Sequence, residues 1–372
     1  MSVRAGWLAL LLPAAFLPVV PLSAQTLGPD RELLVGAEAR SVSFARLPNV
    51  KRIRQLSIPI GVVLPFGRRL RVDVSSALVS TELERVDSSE HQVNHLVDTQ
   101  LRGAYVFGRD AIVATLVLNL PTGPKSATTL DYATIGATSP LLLGFPVPAY
   151  ANGFSVTGGA AAALPAGAWS FGLAGSVRVS SCFTPYADST GPITYRPGVE
   201  GRLRAGADGI LGASRLSLGF TYSTFGDDQF GTAATVRGQY RPGPRWLAEA
   251  ALLAPIGSSS VTLAAWNFHR TAGDTTGVSA RNRENLAAAE LSFAIPLGST
   301  ISFEPALSGR LSKPQAGRGR LAGAGAGFRI RLSNALTLTP TARYDTGWVE
   351  DDLGARSNLH GGYASLFLRV SF

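Results

Sequence analysis

The chain has 372 residues, of which 16% are charged and 41 are glycine, with a formal net charge of +9 and one cysteine, Cys182. That share of charge lies well below the roughly 25% of an average globular domain, and the mean hydropathy of +0.17 is positive, so a water-soluble secreted enzyme is a poor fit. A lone cysteine excludes an internal disulfide, and basic residues that alternate along strands instead of gathering in a patch argue against a nucleic-acid partner.

Taken from the start, Met1-Ser2-Val3-Arg4 puts one positive charge before an apolar run from Ala5 to Leu22, followed by Ser23, Ala24 and Gln25. A charged start, an apolar stretch and a small residue before the cut predict a secretory signal peptide over 1–24. Pro13, Pro18 and Pro21 make the same run a poor permanent helix. The remainder, 25–372, is expected to form one domain. It holds no apolar run of the roughly 18 residues a spanning helix requires. A chain too polar to cross a bilayer as helices and too apolar for a soluble domain fits a barrel, whose strands face lipid on one side and a lumen on the other.

Period-2 alternation runs along the whole chain. It is weak near 34–46 and clear further on. Tyr195, Val199, Leu203 and Ala205 oppose Arg196, Glu200, Arg202 and Arg204. Leu216, Leu218, Phe220 and Tyr222 oppose Arg215, Ser217, Thr221 and Ser223. Ile301, Phe303, Pro305 and Leu307 oppose Ser302, Glu304 and Ser308. Leu336, Leu338 and Ala342 oppose Thr337, Thr339, Arg343 and Asp345. The last strand sets Gly362, Ala364, Leu366, Leu368, Val370 and Phe372 against Tyr363, Ser365, Phe367, Arg369 and Ser371. Short turns are expected at 66–69, 108–110, 165–167, 207–209, 256–258, 297–299 and 333–335, each with the Gly, Asn or Asp that tight hairpins favour. Longer polar stretches lie between them at 81–96, 121–151, 181–193, 225–244, 270–284, 312–318 and 348–360. Short turns alternating with long loops predict an all-β, transmembrane antiparallel β-barrel of the bacterial outer membrane, with about 16 strands and 14 as the alternative.

No catalytic constellation stands out, and no cofactor or metal site is expected. His91 and His95, beside Glu90 and Asp98, are four apart and would share one side only on a helix. Gly323, Gly325 and Gly327 are two apart, which on a strand gives a smooth inner wall or room for a loop. Alternation places Arg102, Arg178, Arg196, Arg202, Arg204, Arg215, Arg310, Arg329, Arg331, Arg343 and Arg369 on the lumen side. The acids Asp98, Glu200, Glu249, Glu290, Glu304 and Asp345 share that side. Most are expected to form cross-strand ion pairs, and the surplus of arginine predicts a positive lumen that favours anions. Pro305 and Pro340 fall inside strands, where each removes a ladder hydrogen bond. A bulge or a gap in the wall is the expected consequence.

Asp98-Thr99-Gln100-Leu101-Arg102-Gly103-Ala104-Tyr105-Val106-Phe107-Gly108, followed by Leu118-Asn119-Leu120-Pro121-Thr122-Gly123, resembles outer-membrane barrels linked to meta-pathway phenol degradation, whose strands often end in a similar L-x-L-P-T-G. Tyr222-Ser223-Thr224-Phe225-Gly226-Asp227-Asp228 and Ala265-Trp266-Asn267-Phe268 look like segments of the same proteins. The resemblance spans most of the chain and implies a transporter-like barrel for aromatic or other hydrophobic compounds. A wider likeness is to long-chain fatty-acid transporters, which begin with a segment that plugs the lumen. Here only about ten residues separate Gln25 from the first possible strand. Any plug is therefore expected from the 121–151 stretch, through Leu141, Leu142, Leu143 and Phe145.

The expected function is passive transport of small, hydrophobic or aromatic molecules across the outer membrane. A general diffusion porin with anion preference is the alternative, and a structural or adhesion barrel the reading from another class. Expected partners are the solute, outer-membrane lipids and lipopolysaccharide, and the barrel-assembly machinery through the C-terminal strand ending in Phe372.

Overall fold

The computed structural model describes residues 31–47, 49–108, 112–188, 191–231, 236–276, 283–314, 317–350 and 354–372. The expected signal peptide, 1–24, lies outside them. The wall begins with β1 (Glu32–Leu47), β2 (Val50–Phe66) and β3 (Leu70–Glu84). β4 (Glu90–Leu96) and β5 (Thr99–Phe107) are two halves of one wall strand, followed by β6 (Ile112–Leu120). A helix, α1 (Thr129–Gly136), precedes β7 (Ser155–Ala166), β8 (Trp169–Ser180), β9 (Phe183–Asp188) and β10 (Gly191–Arg196). Then come β11 (Glu200–Leu211), β12 (Ser214–Phe225), β13 (Asp228–Gly231), β14 (Val236–Arg241), β15 (Arg245–Ile256), β16 (Ser259–Arg270) and β17 (Asp274–Thr276). β18 (Glu284–Pro296), β19 (Ile301–Ser312), β20 (Arg318–Arg331), β21 (Leu336–Glu350) and β22 (Arg356–Ser371) complete the chain.

Each wall strand pairs antiparallel with the next, and β1 pairs β22 from Glu32↔Ser371 to Phe44↔Leu359, which closes the cylinder. With β4 and β5 counted as one strand, the wall has sixteen strands. Closure leaves no open edge, the condition for crossing lipid with strands. The pleat sorts side chains as the alternation requires. On β8, Phe171, Leu173, Val177 and Val179 point out and are exposed, while Arg178 and Ser180 point in.

Several turns fall where expected, with Gly67, Gly108, Gly167 and Gly257 at φ between 60° and 66°. The expected turn at 207–209 is instead continuous strand, and the chain reverses at Gly212, φ 61°. Asp208 resembles a turn residue, but it faces the lumen and accepts from Arg215 Nε and Ser217 Oγ. The stretch 81–96 is a tight hairpin between β3 and β4. Its two histidines therefore share one face on a strand, without a helix. His91 Nε2 lies 2.7 Å from Asp131 Oδ1, and the His95 ring meets Tyr150 edge-on.

The stretches expected as loops at 181–193, 225–244 and 270–284 carry β9, β10, β13, β14 and β17, which form a separate five-stranded antiparallel sheet. It continues the β8–β16 side of the wall beyond a break at Pro197-Gly198 and Gly226. A side chain on Gly198 would collide with the Gly226 backbone. Arg196 sits at the end of β10 in this sheet and is exposed, so it does not line the lumen as expected. The proline break detaches it from the alternation of β11.

Pro305 and Pro340 neither bulge the wall nor shift its register. The β18–β19 ladder skips the pairs between Ser292↔Ala306 and Ile295↔Phe303, and the β20–β21 ladder skips those between Gly327↔Thr341 and Ile330↔Leu338. The opposite ladders, β19–β20 and β21–β22, run unbroken through both prolines.

Candidate functional site: the lumen and the segment across it

The hairpin between β6 and β7 does not rise away from the barrel. The L-x-L-P-T-G motif fastens its start. One extra residue at Val97-Asp98, where β4 passes into β5, turns the Asp98 carboxylate inward, and Asp98 is only 6% exposed. Asp98 accepts from Gly123 N (3.0 Å), Asn119 Nδ2 (3.0 Å) and Asn152 N (2.7 Å), joining both ends of the segment. Thr122 Oγ1 donates to Val97 O (3.1 Å) and accepts from Thr99 N (2.8 Å). Gly123 has no room for a side chain, because a Cβ would stand 2.7 Å from Tyr150 O and 2.9 Å from Asp98 Oδ1.

From that anchor the chain forms α1. Thr128 caps the helix, exchanging bonds with Asp131 in a capping box. Burial by itself would raise the Asp131 carboxyl, but bonds from His91 and Thr128 hold it below the ordinary aspartate value. Beyond α1 the segment crosses the lumen. β19 stands eight strands round the ring from β6, diametrically opposite, and Arg310 Nη1 of β19 donates to Leu142 O at 3.3 Å. Arg40 Nε of β1 donates to Leu143 O at 2.8 Å. Gln55 of β2 brackets Val147, donating to its carbonyl (2.7 Å) and accepting from its amide (2.9 Å). Leu142, Leu143 and Phe145 are buried among Val42, Phe44, Ile53, Leu83, Leu286, Leu321 and Leu359, with Leu141 and Trp266 packed against the same cluster. Tyr150 and Val147 pack on Val79 and Val93, and Tyr150 OH donates to Thr81 Oγ1. Burial pushes the Tyr150 phenol up to about 12.

Most of the inward arginines have carboxylate partners. Arg178 (3.9 Å) and Arg202 (2.7 Å) share Glu200, Arg204 meets Glu249 (2.7 Å), and Arg215 meets Asp208 (2.9 Å). Arg329 meets Glu304 (3.0 Å), Arg343 meets Asp345 (3.2 Å) and Arg369 meets Glu32. Arg331 lies at the rim beside Asn334, Thr337 and Arg369. Arg102 is 8% exposed, and its Nε has no hydrogen-bond partner; Asp73, opposite it, is bound by Arg71. Gly323 leaves space for the Asp345 carboxylate, which a Cβ there would strike.

Sequence reasoning missed Arg40, Glu38 and Gln55. Arg40 pairs with Asp345, and Glu38 accepts from Tyr363 OH (2.7 Å) and Ser57 Oγ (3.2 Å). The parity Gly36, Glu38, Arg40, Val42, Phe44 was present in β1. Its signal was blurred because Val42 and Phe44 are apolar and yet point inward, where they meet the crossing segment.

No family model matches the chain, and no curated protein does. Among solved structures, the TodX monoaromatic hydrocarbon channel, as a deltaS2 mutant, is similar at 10% identity and a TM-score of 0.49, covering 93% of this chain and 91% of that one. The COG4313 outer membrane channel from Pseudomonas putida F1 is similar at 11% identity and a TM-score of 0.39, covering 92% and 96%. OmpT of Vibrio cholerae is similar at 6% identity and a TM-score of 0.44, covering 93% and 98%.

Proposed function

We propose that this chain is an outer-membrane passive transporter for small molecules with an apolar body, closed at rest by its own 121–154 segment. The observation that carries the reading is the diametric crossing. Leu142, Leu143 and Phe145 are buried against inward residues from β1, β2, β3, β18, β20 and β22. A general anion-favouring porin would keep free guanidinium groups along an open bore. Here most inward arginines are neutralised by carboxylates, and the bore is crossed. The reading assigns no catalytic step. Residues 1–24 are read as the export signal, removed on translocation, and the last strand, closing on Phe372, as the handle for barrel assembly. Lipopolysaccharide phosphates fit the outward rim, where Arg318, Arg320 and Arg356 surround the Trp348 ring.

Single-channel recording of the refolded chain in a planar bilayer tests this, beside a variant in which 139–147 is replaced by a short Gly-Ser linker. The full chain is expected to conduct little and the variant to conduct steadily. A large, steady conductance from the full chain would overturn the reading.

A further inference from the structure

Beneath the apex of the crossing segment three guanidinium groups converge from β1, β19 and β21: Arg40, Arg310 and Arg343. The facing carboxylates are two, Asp345 and Glu290. Arg40 is 2% exposed, and its Nη2 has no partner. Arg310 makes no ion pair among the described residues and donates to a backbone oxygen, Leu142 O. The segment offers this cluster two adjacent carbonyl oxygens, Leu142 O to Arg310 and Leu143 O to Arg40. At Gly144, φ 63°, the backbone lies directly on the Arg310 guanidinium, and a Cβ there would collide with Nη1. Immediately beside these oxygens sit the apolar side chains of Leu142, Leu143 and Phe145, against Leu286, Leu321 and Trp266.

Two oxygens on guanidinium groups next to an apolar body is the outline of an aromatic or aliphatic monocarboxylate. We infer that the 141–145 apex occupies, in the resting state, the site of such a carboxylate, and that the solute opens the channel by displacing it. The inference rests on the transport reading above and names its substrate class. The competition has a direction. Neutral carbonyls accept from Arg40 and Arg310 now, whereas a carboxylate makes charge-assisted bonds that are shorter and roughly twice as strong. Its charge also offsets the third guanidinium, and its apolar part takes the contacts that Leu143 and Phe145 give up. A neutral molecule of the same shape replaces the apolar contacts but takes from Arg40 Nε and Arg310 Nη1 the acceptors that Leu143 O and Leu142 O now supply, without bringing a charge to replace them, which is costly in a buried setting.

The test is open probability of the full chain in a planar bilayer with benzoate or with benzyl alcohol as the added solute. Benzoate is expected to raise it several-fold and benzyl alcohol to leave it near its resting value. In Arg310→Gln the ratio with and without benzoate should fall towards one, while Arg331→Gln, at the rim, should keep it. Heat-modifiable migration on a gel verifies that each variant is folded. Equal opening by both solutes, or loss of the response in Arg331→Gln as well, would overturn the inference. So would silence with both solutes while the 139–147 linker variant conducts, an outcome that leaves the transport reading standing. If the linker variant is silent too, the transport reading itself falls.

Discussion

Asp98 shows how one side chain can hold a segment of some thirty residues (121–154) in place. It accepts from two backbone amides and one side-chain amide at both ends of the crossing, and hydrogen bonds to a charged group contribute about 1.5–3 kcal/mol each. Asp98→Ala should therefore unfasten the segment while the wall survives, at a local cost of roughly 2–4 kcal/mol. Trypsin cleavage at Lys125 is the readout and is expected to become fast; unchanged protection would mean that the apex contacts suffice alone. Tyr150 offers a pH handle on the same segment. Its phenol titrates at about 12 when docked and near 10 in an unfolded chain. The docked form thus holds its proton longer. Its contribution is fully present below about pH 10 and is lost as the pH rises towards 12. Difference titration of the chain against Tyr150→Phe should reveal one phenol ionising near 12.

At the scale of elements, α1 is eight residues long and could not stand alone in water. It depends on the Thr128–Asp131 capping box and on the His91 contact to β4. Thr128→Ala should cost about 1 kcal/mol and increase hydrogen exchange at the α1 amides, leaving exchange in β7 and β8 unaltered. The strands obey a different rule. Each is held by two neighbours, so Pro305 and Pro340 remove pairs on one side only while the other ladder keeps the register. The bulge that does matter lies at Val97-Asp98. It carries no proline or glycine, and it aims a carboxylate at the lumen.

For the whole molecule, closure of the wall does not run through the crossing segment. The cylinder closes through strand ladders that do not involve 121–154, down to the mutual bonds of Arg31 and Phe372. The 139–147 linker variant should accordingly keep the gel shift of a folded barrel and gain conductance. Loss of the shift would show that the segment is part of the fold and no mere stopper. The buried Arg40–Asp345 pair lies at the boundary between the two. Asp345→Asn leaves Arg40 in place without its charge partner, and breaking a buried pair costs about 3–5 kcal/mol, so a lower melting temperature is expected together with altered gating.

The sequence by itself determined the barrel, because period-2 alternation is a local property that each strand writes in its own residues. Sixteen strands, the inward side of Arg178, Arg202, Arg204 and Arg215, and the apolar run 141–145 were all legible in it. Tertiary structure alone decided where that run goes. Nothing local connects Leu142 to Arg310, 168 positions away, or Leu143 to Arg40, 103 away. The same non-local contacts explain why β1 was faint: its inward face is apolar near Val42 and Phe44 because another part of the chain, and not water, fills the lumen there. The outer sheet was hidden for a related reason. Its strands are short and cut off by Pro197-Gly198, so their pairing depends on neighbours from three different hairpins.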